Sequence, residues 1–197
     1  MNSSGAQRII PAILVLIVII VAIAALVSVG RSIFGGPSQE VVNTGRESLL
    51  NTSLDRSVRM TVRGPIVGDD QFHTYVMTIT PTTRNLTTYQ GYLRTQLETT
   101  DLANNSKGYE QFVYALDRAN MMAGDELEGE ADDTRGICAQ GIMYQYQVLQ
   151  GTNVIKTLWT TSCSKSRGSL RAVNQTLLRL FRAQTPDTAK MTRKINL

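Results

Sequence analysis

A run of 21 uncharged and almost wholly apolar residues, 9–29, most constrains what this chain can fold into. As an α-helix rising about 1.5 Å per residue, the run crosses a hydrocarbon core of about 30 Å. No other segment is long and apolar enough to surround a helix that is apolar on every face. The sequence therefore predicts a membrane-spanning helix, with the rest of the chain held at a membrane surface.

A cleaved signal peptide is the alternative for the same run. Arg8 supplies a basic start, and Ala22-Ile23-Ala24 supplies a small-x-small cleavage site. The run nevertheless stays apolar through Val27, where a cleavage region normally turns polar, so a retained anchor is favoured. Positive charges on the two sides are nearly balanced and do not decide the orientation. The cysteine pair discussed below favours an oxidising compartment, so we expect residues 1–8 in the cytoplasm and the C-terminal domain outside the cell.

The remaining chain divides into a linker, one domain and a tail. Gly35-Gly36-Pro37 breaks regular structure, which indicates a flexible linker over residues 30–38. Residues 39–185 suit a single α+β domain, because domains commonly contain about 100 to 200 residues. Residues 186–197 follow a proline and are predicted to form a loose basic tail.

Alternating hydrophobicity predicts an antiparallel sheet of about five strands in two groups. Residues 57–63, 71–80 and 85–89 are expected to form a three-strand meander, because their connections are short. Residues 142–148 and 153–159 are expected to form a separate hairpin.

Helical spacing of apolar residues predicts the other elements of the α+β fold. One helix is expected over residues 107–122, between the two strand groups, after a short helical turn over residues 92–97. Ser169 is expected to cap a C-terminal helix that packs on the sheet and carries an apolar stripe ending at Phe181. A softer helix is expected within residues 39–54, where a glycine interrupts the pattern.

The predicted hairpin brings the two cysteines of the chain together. With a four-residue turn, Tyr146 faces Ile155, and the same register places Cys138 opposite Cys163. A disulfide closing this loop is worth about 3 kcal/mol in the chain-entropy description. We favour it over a catalytic thiol pair or metal ligands, because the single histidine, His73, lies in another strand and no CxxC motif occurs.

Recognised catalytic constellations are missing from the sequence. It contains no GxSxG elbow, no GxGxxG loop and no Walker-type loop. His73 has no acid or nucleophile beside it in sequence, so a structural place in a strand is favoured. An SxxK match joins Ser162 and Lys165, but it falls at a strand end beside a cysteine instead of on a helical turn. We therefore expect neither catalysis nor a cofactor.

Charge is distributed unevenly along the chain. Residues 125–133 carry six acids, and residues 164–197 carry eight Lys or Arg against one Asp. The simplest interpretation of each region is a solvated charged surface. The alternative for the acidic region is a calcium site. The alternative for the basic region is binding of anionic lipid headgroups or wall polymers. Nucleic acid is disfavoured because no aromatic residues are interleaved with the arginines. The calcium candidates are Asp125, Glu128, Glu130, Asp132 and Asp133, and the anion-binding candidates are Arg171, Arg179, Arg182, Lys190, Arg193 and Lys194.

Short motifs spread over nearly the whole chain resemble uncharacterised single-pass, surface-exposed proteins of candidate-phylum bacteria such as the Saccharibacteria. The motifs are an IIPxxLxxIVxIVAIAALVSVGR anchor, a GGP linker, RMTVRGPI, FVYALDRAN, TRGIC and LWTTSC. The resemblance implies a bacterial origin and an extracytoplasmic domain. It implies no activity and provides no site residues.

The leading functional prediction is a non-enzymatic, membrane-anchored extracytoplasmic protein that binds or organises a protein or cell-wall partner. The alternative is a minor-pilin-like or secretion-apparatus subunit, because type IV pilins also join an apolar N-terminal helix to an antiparallel sheet with a late disulfide. Three features count against that alternative. Ile10 stands where pilins keep a Glu, Pro11 stands near the start of the helix, and Gly35-Gly36-Pro37 would break their continuous helix.

Overall fold

Six antiparallel strands form one continuous sheet in the computed structural model, which describes residues 44–164, 168–195 and 197. The predicted anchor and linker lie outside the described residues. Within the described part of the chain, no helix is both long and apolar enough to cross a bilayer. The strands are β1 (Arg56–Arg63), β2 (His73–Ile79), β3 (Thr83–Gln90), β4 (Thr95–Ala103), β5 (Met143–Gln150) and β6 (Asn153–Thr161), arranged in the order β4-β3-β2-β1-β5-β6.

Four α-helices accompany this sheet in the described residues. They are α1 (Thr44–Leu50), α2 (Ser106–Arg118), α3 (Asn174–Arg182) and α4 (Thr188–Lys194). A short 3-10 turn, Gly129–Asp132, lies in the acidic loop. The predicted α+β class is confirmed.

The strands fall in two groups along the chain, as predicted, but in the described residues they number six instead of about five. β1 pairs with β2 on one side and with β5 on the other, so the meander and the hairpin share one sheet. Met60 at the centre of β1 faces Met77 of β2 and Tyr146 of β5. Because β1 is hydrogen-bonded along both edges and its even-numbered apolar residues are fully buried, it is the central strand of the core.

The helices cover one face of the sheet. α2 buries Phe112 and α3 buries Phe181, and the two rings meet edge to face with centroids 5.3 Å apart. Phe181 also contacts Tyr146 of β5 at a centroid distance of 5.8 Å. Asn105 caps α2 by accepting a hydrogen bond from the Gly108 amide, 2.8 Å away, which satisfies one of the free N–H groups of the first turn.

The predicted helical turn over residues 92–97 is wrong, because Thr95–Ala103 form β4 at one edge of the sheet. Most β4 side chains are exposed or half-buried on both faces, so the strand lacks the apolar alternation by which strands are recognised. Its pairing with β3 includes a bulge between Thr88 and Tyr89.

The predicted register of the β5–β6 hairpin is also wrong. Gln150 faces Asn153 across a two-residue turn, and a bulge leaves Ile155 without a partner in the ladder. Tyr146 therefore faces Leu158 instead of Ile155. This shift of three residues reverses the parity, so Trp159 lies on the opposite sheet face from Tyr146.

Two helix predictions near the C-terminus need correction. α3 begins at Asn174 rather than after Ser169, whose hydroxyl instead accepts a hydrogen bond from the Trp159 amide at 3.0 Å. The predicted loose tail contains α4, which buries Met191, and Ile195 just beyond it is buried as well. Two apolar residues four apart are enough to fix one short helix against the sheet, although they give too weak a pattern to predict one.

The edge-to-face ring contact leads to a stability prediction. Replacing Phe181 by alanine is expected to lower the free energy of unfolding by about 3–5 kcal/mol, because the cavity left behind cannot collapse fully. Urea unfolding of the full chain in detergent, followed by fluorescence of its only tryptophan, measures this change. Val173→Ala is the control, because Val173 is 68 % exposed just before the same helix. Equal effects of the two substitutions would contradict the packing described.

Candidate binding groove

The sheet face opposite α2 and α3 forms a groove of about 780 Å³. Side chains of β1, β2, β3 and β5 and of the adjoining loops line it, and none of its lining residues belongs to a described helix. The residues on its floor are determined by the alternation of side chains along β1. Because Val58, Met60 and Val62 point into the core, Arg59 and Arg63 point into the groove.

One wall of the groove is the loop that precedes β5. It contributes residues 134–138 and is tied to the end of β6 by the disulfide between Cys138 and Cys163, whose Cα atoms are 5.6 Å apart. The two cysteines pair as the sequence predicts, but through this loop instead of through an extended hairpin register. Gly141 is required beside them, because a Cβ there would clash with the Cys138 sulfur.

The opposite wall is formed by the turn between β3 and β4. The Tyr92 ring stacks on Phe72 with centroids 4.2 Å apart. Asp69 accepts a hydrogen bond from the Tyr92 amide at 2.7 Å, and the Tyr92 hydroxyl donates to the Val67 carbonyl at 2.8 Å. Gly91 has φ of +75°, and a Cβ there would lie 2.9 Å from an Asp69 carboxylate oxygen, so this turn needs glycine. These contacts fix an aromatic wall beside the groove.

Three arginines give the groove its charge. Arg59 Nε donates to Gln147 Oε1 at 2.9 Å, and Arg63 Nη2 donates to Thr134 Oγ1 at 3.0 Å. Arg94 enters from the β3–β4 turn, with its guanidinium 4.6 Å from the centroid of the Tyr89 ring. Burial lowers the pKa of Arg59 and of Arg63, and the positive charge of Arg94 lowers both further.

These three cations have no carboxylate partners among the described residues. The residues that line the groove include no Asp, Glu, His or Lys. A fourth arginine in the lining, Arg135, is compensated by Asp133, with Nη2 and Oδ2 2.6 Å apart. This pairing lowers the pKa of Asp133 to about 2. The groove therefore concentrates uncompensated positive charge between low-dielectric walls, which strengthens attraction for anions.

The calcium candidates lie along β6 instead of around one point. Asp125 pairs with Arg171 at 2.8 Å, Asp132 accepts a hydrogen bond from Trp159 Nε1 at 2.9 Å, and Asp133 pairs with Arg135. Glu128 precedes the 3-10 turn, and Glu130 lies within it. In the described ranges, no three His, Cys, Asp or Glu side chains are arranged to hold a metal ion.

The anion-binding candidates of the C-terminal region are scattered over the helices. Arg171 and Lys194 form ion pairs with Asp125 and Glu98, and Arg193 donates to the Ala189 carbonyl. Arg182 lies near the hydroxyl groups of Tyr75 and Tyr144, where its charge opposes the rise in their pKa that burial causes. Arg179 and Lys190 are exposed. None of these six residues lines the groove.

Of the residues considered for catalysis, the structure describes His73 and Ser162. His73 begins β2, and its carbonyl accepts a hydrogen bond from the Gly64 amide at 3.0 Å. Ser162 Oγ accepts a hydrogen bond from the Ile142 amide at 2.9 Å, and Lys165 lies outside the described residues. Arg59, Arg63 and Arg94 are not among the residues predicted from the sequence. The available signal was the four-residue spacing of the first two, which puts them on one strand face.

The Asp133–Arg135 pair leads to a pH prediction. The pKa of Asp133 lies below its ordinary value of 3.8, so the pair stabilises the fold above that value and loses this contribution as pH falls through about 2. We expect Arg135→Gln to raise the pKa of Asp133 towards 3.8. Carbon-detected NMR titration of the Asp133 carboxyl measures it, with Arg171→Gln as the control at a separate ion pair. An unchanged pKa in Arg135→Gln would contradict the assignment.

The sequence matches no protein-family model and shows no significant similarity to a curated protein. The resemblance to surface proteins of candidate-phylum bacteria therefore stays a prediction.

Proposed function

We propose that this protein is a non-enzymatic, membrane-anchored extracytoplasmic protein that binds its ligand in the groove. The observation that carries the proposal is the set of three arginines without carboxylate partners in the described residues, all lining one cavity. Five other cations of the described chain have acidic partners within 4 Å, among them Arg46, Arg135 and Lys194. A ligand anion would supply for these three arginines the compensating charge that carboxylates supply for those five cations.

Partial burial of unpaired cations supports a binding role. Desolvating a charged group without compensation is unfavourable, and the lowered pKa values of Arg59 and Arg63 express this cost. A fold that needed these positions only for packing could place apolar residues there at lower cost. The walls beside them are fixed by a disulfide and by hydrogen bonds, as expected of a largely pre-formed ligand site.

The chemistry of the groove supports binding more than catalysis. Its lining offers guanidinium, hydroxyl and amide groups, but no carboxylate, imidazole or lysine amine that could transfer a proton near neutral pH. Cys138, which also lines it, is held in the disulfide and cannot act as a nucleophile.

The place of the protein in the cell is proposed from the sequence. Residues 9–29 supply an anchor of the length that a bilayer requires. The disulfide between Cys138 and Cys163 suits an oxidising compartment. Together they support a domain tethered on the outer side of a cytoplasmic membrane.

The proposal that the groove binds a ligand can be tested by adding candidate ligands and by blocking the groove with a larger side chain. Thermal unfolding of the full chain in detergent is measured with a panel of neutral and anionic oligosaccharides and peptides. We expect at least one of them to raise the unfolding temperature, because a bound ligand at a hundred times its Kd adds about 2.7 kcal/mol of stability.

Thr61→Tyr, which places a ring on the groove floor, should abolish this stabilisation. Gln175→Tyr should retain it, because Gln175 is exposed on α3 across the sheet. A panel without any stabilising compound, or stabilisation that persists in Thr61→Tyr, would refute the groove as the ligand site.

Membrane anchoring and orientation have a separate test. Full-length protein expressed in a bacterium is expected in the membrane fraction after carbonate extraction, and a chain lacking residues 9–29 in the soluble fraction. Alkaline phosphatase fused after Leu197 should be active, because that enzyme needs an oxidising compartment. Recovery of the full-length chain in the soluble fraction with its N-terminus intact, or an inactive fusion, would contradict this part of the proposal.

A further inference from the structure

We propose that the groove binds an anionic oligosaccharide, a sugar chain that carries several separated sulfate, phosphate or carboxylate groups. The inference rests on the proposed function, since it names the ligand class for the same groove. Three features of the groove determine it. They are the separation of the arginines, the polar groups on the floor and the single aromatic surface.

The arginines are placed for several anionic groups instead of one. Arg59 and Arg63 are four residues apart on β1, so their Cα atoms are separated by about 13 Å. Gln147 and Thr134 bind the two guanidinium groups at separate points along the groove. Arg94 approaches from the opposite wall. A single small oxyanion can contact only part of this set, whereas a chain with repeated charges can contact all three.

The floor between the arginines suits hydroxyl-rich ligands. Thr61, Thr78 and Gln145 line the groove and are half-buried, and their side chains form no hydrogen bond with other described residues. Their hydroxyl and amide groups both donate and accept hydrogen bonds, as sugar hydroxyls also do. A purely apolar anion would leave these groups unpaired on binding, which is unfavourable. The floor therefore favours a polyhydroxylated ligand.

The aromatic wall favours a sugar chain over single-stranded nucleic acid. Phe72 is 7 % exposed, and one of its faces stacks on Tyr92. The Tyr89 ring is occupied by Arg94. Tyr92, which is 49 % exposed, therefore offers one accessible ring face. Nucleic-acid strands are bound by successive aromatic platforms, one for each base, whereas one ring face is enough to pack against a sugar.

The test compares matched probes on the full chain in phosphatidylcholine nanodiscs. Isothermal titration calorimetry measures the binding of maltohexaose, of sulfated maltohexaose, of hexagalacturonate and of a six-nucleotide uridine RNA. Sulfated maltohexaose or hexagalacturonate is expected to bind at least tenfold more tightly than neutral maltohexaose, and doubling the salt concentration should weaken that binding.

Single substitutions then assign the binding to the groove. Arg59→Gln, Arg63→Gln and Arg94→Gln should each weaken it about tenfold or more, because each removes charge-assisted hydrogen bonds. Arg179→Gln, an exposed change on α3, should alter it less than twofold. Unchanged tryptophan emission checks that each variant is folded, since Trp159 is buried.

Several results would overturn the inference. These are equal binding of the neutral and anionic sugars, binding that is insensitive to the three groove arginines, tighter binding of the RNA, and no binding of any anionic sugar. Failure of this inference can be distinguished from failure of the proposed function. A neutral sugar or a peptide that stabilises the chain and is blocked by Thr61→Tyr would keep the groove as a ligand site while excluding the anionic oligosaccharide.

Discussion

The structure depends on β1, a strand that is hydrogen-bonded on both sides. Its alternate side chains point to two different environments. Val58, Met60 and Val62 supply the centre of the core, and the intervening residues supply the floor of the groove. The side-chain period of two in a strand makes these two roles inseparable. A one-residue shift of β1 would bury Arg59 and Arg63 in the core and expose the apolar set, so the core fixes the arginines in the groove.

The acidic loop, residues 125–133, covers the β6 edge of the sheet. Glu126 accepts a hydrogen bond from the Thr157 amide at 2.6 Å, and Asp132 binds the indole of Trp159. Together with Ser169 and Leu170, which bond the backbone of Trp159, these groups cover the outer edge of β6. Asp133 in the same loop compensates Arg135 beside the groove. A segment that looks only solvated in sequence therefore serves as a structural cover.

How much of the fold could be predicted depends on how strongly each segment separates apolar from polar residues. β1 and α2 bury one clean face, so period and spacing identify them, whereas β2 is buried on both faces and is identified by its β-branched and aromatic residues. β4 lies at an edge with most side chains partly exposed, and α4 is held by Met191 and Ile195 at its end, so neither has a readable pattern. The predicted β5–β6 register failed because the two-residue turn shifts the pairing by two residues and the bulge at Ile155 adds a third, which reverses the parity. The cysteines still pair, since Cys138 lies in the loop before β5 and its position depends less on the strand register than that of a strand residue would.

The groove was harder to predict than the fold. An arginine that alternates with core residues looks the same in sequence whether it faces water or a cavity, so the spacing of Arg59 and Arg63 shows that they share a strand face but not that this face lines a groove. Arg94 reaches the groove from a turn in which it adopts a φ of 60°, and this conformation follows from the neighbouring loops more than from local residue preferences. Charged residues clustered in sequence, such as those near the C-terminus, proved to be dispersed in space among several partners.

The outer edge of β4 has a consequence for molecules crowded side by side. No further strand covers it among the described residues, so its backbone groups are available to a neighbouring copy. Asp101 places a negative charge on this strand, and the bulge at Thr88 and Tyr89 interrupts the regular ladder beside it. Like charges would repel each other if two such edges met, which discourages runaway stacking of sheets. A high local concentration of the protein is thus compatible with separate, unaggregated copies.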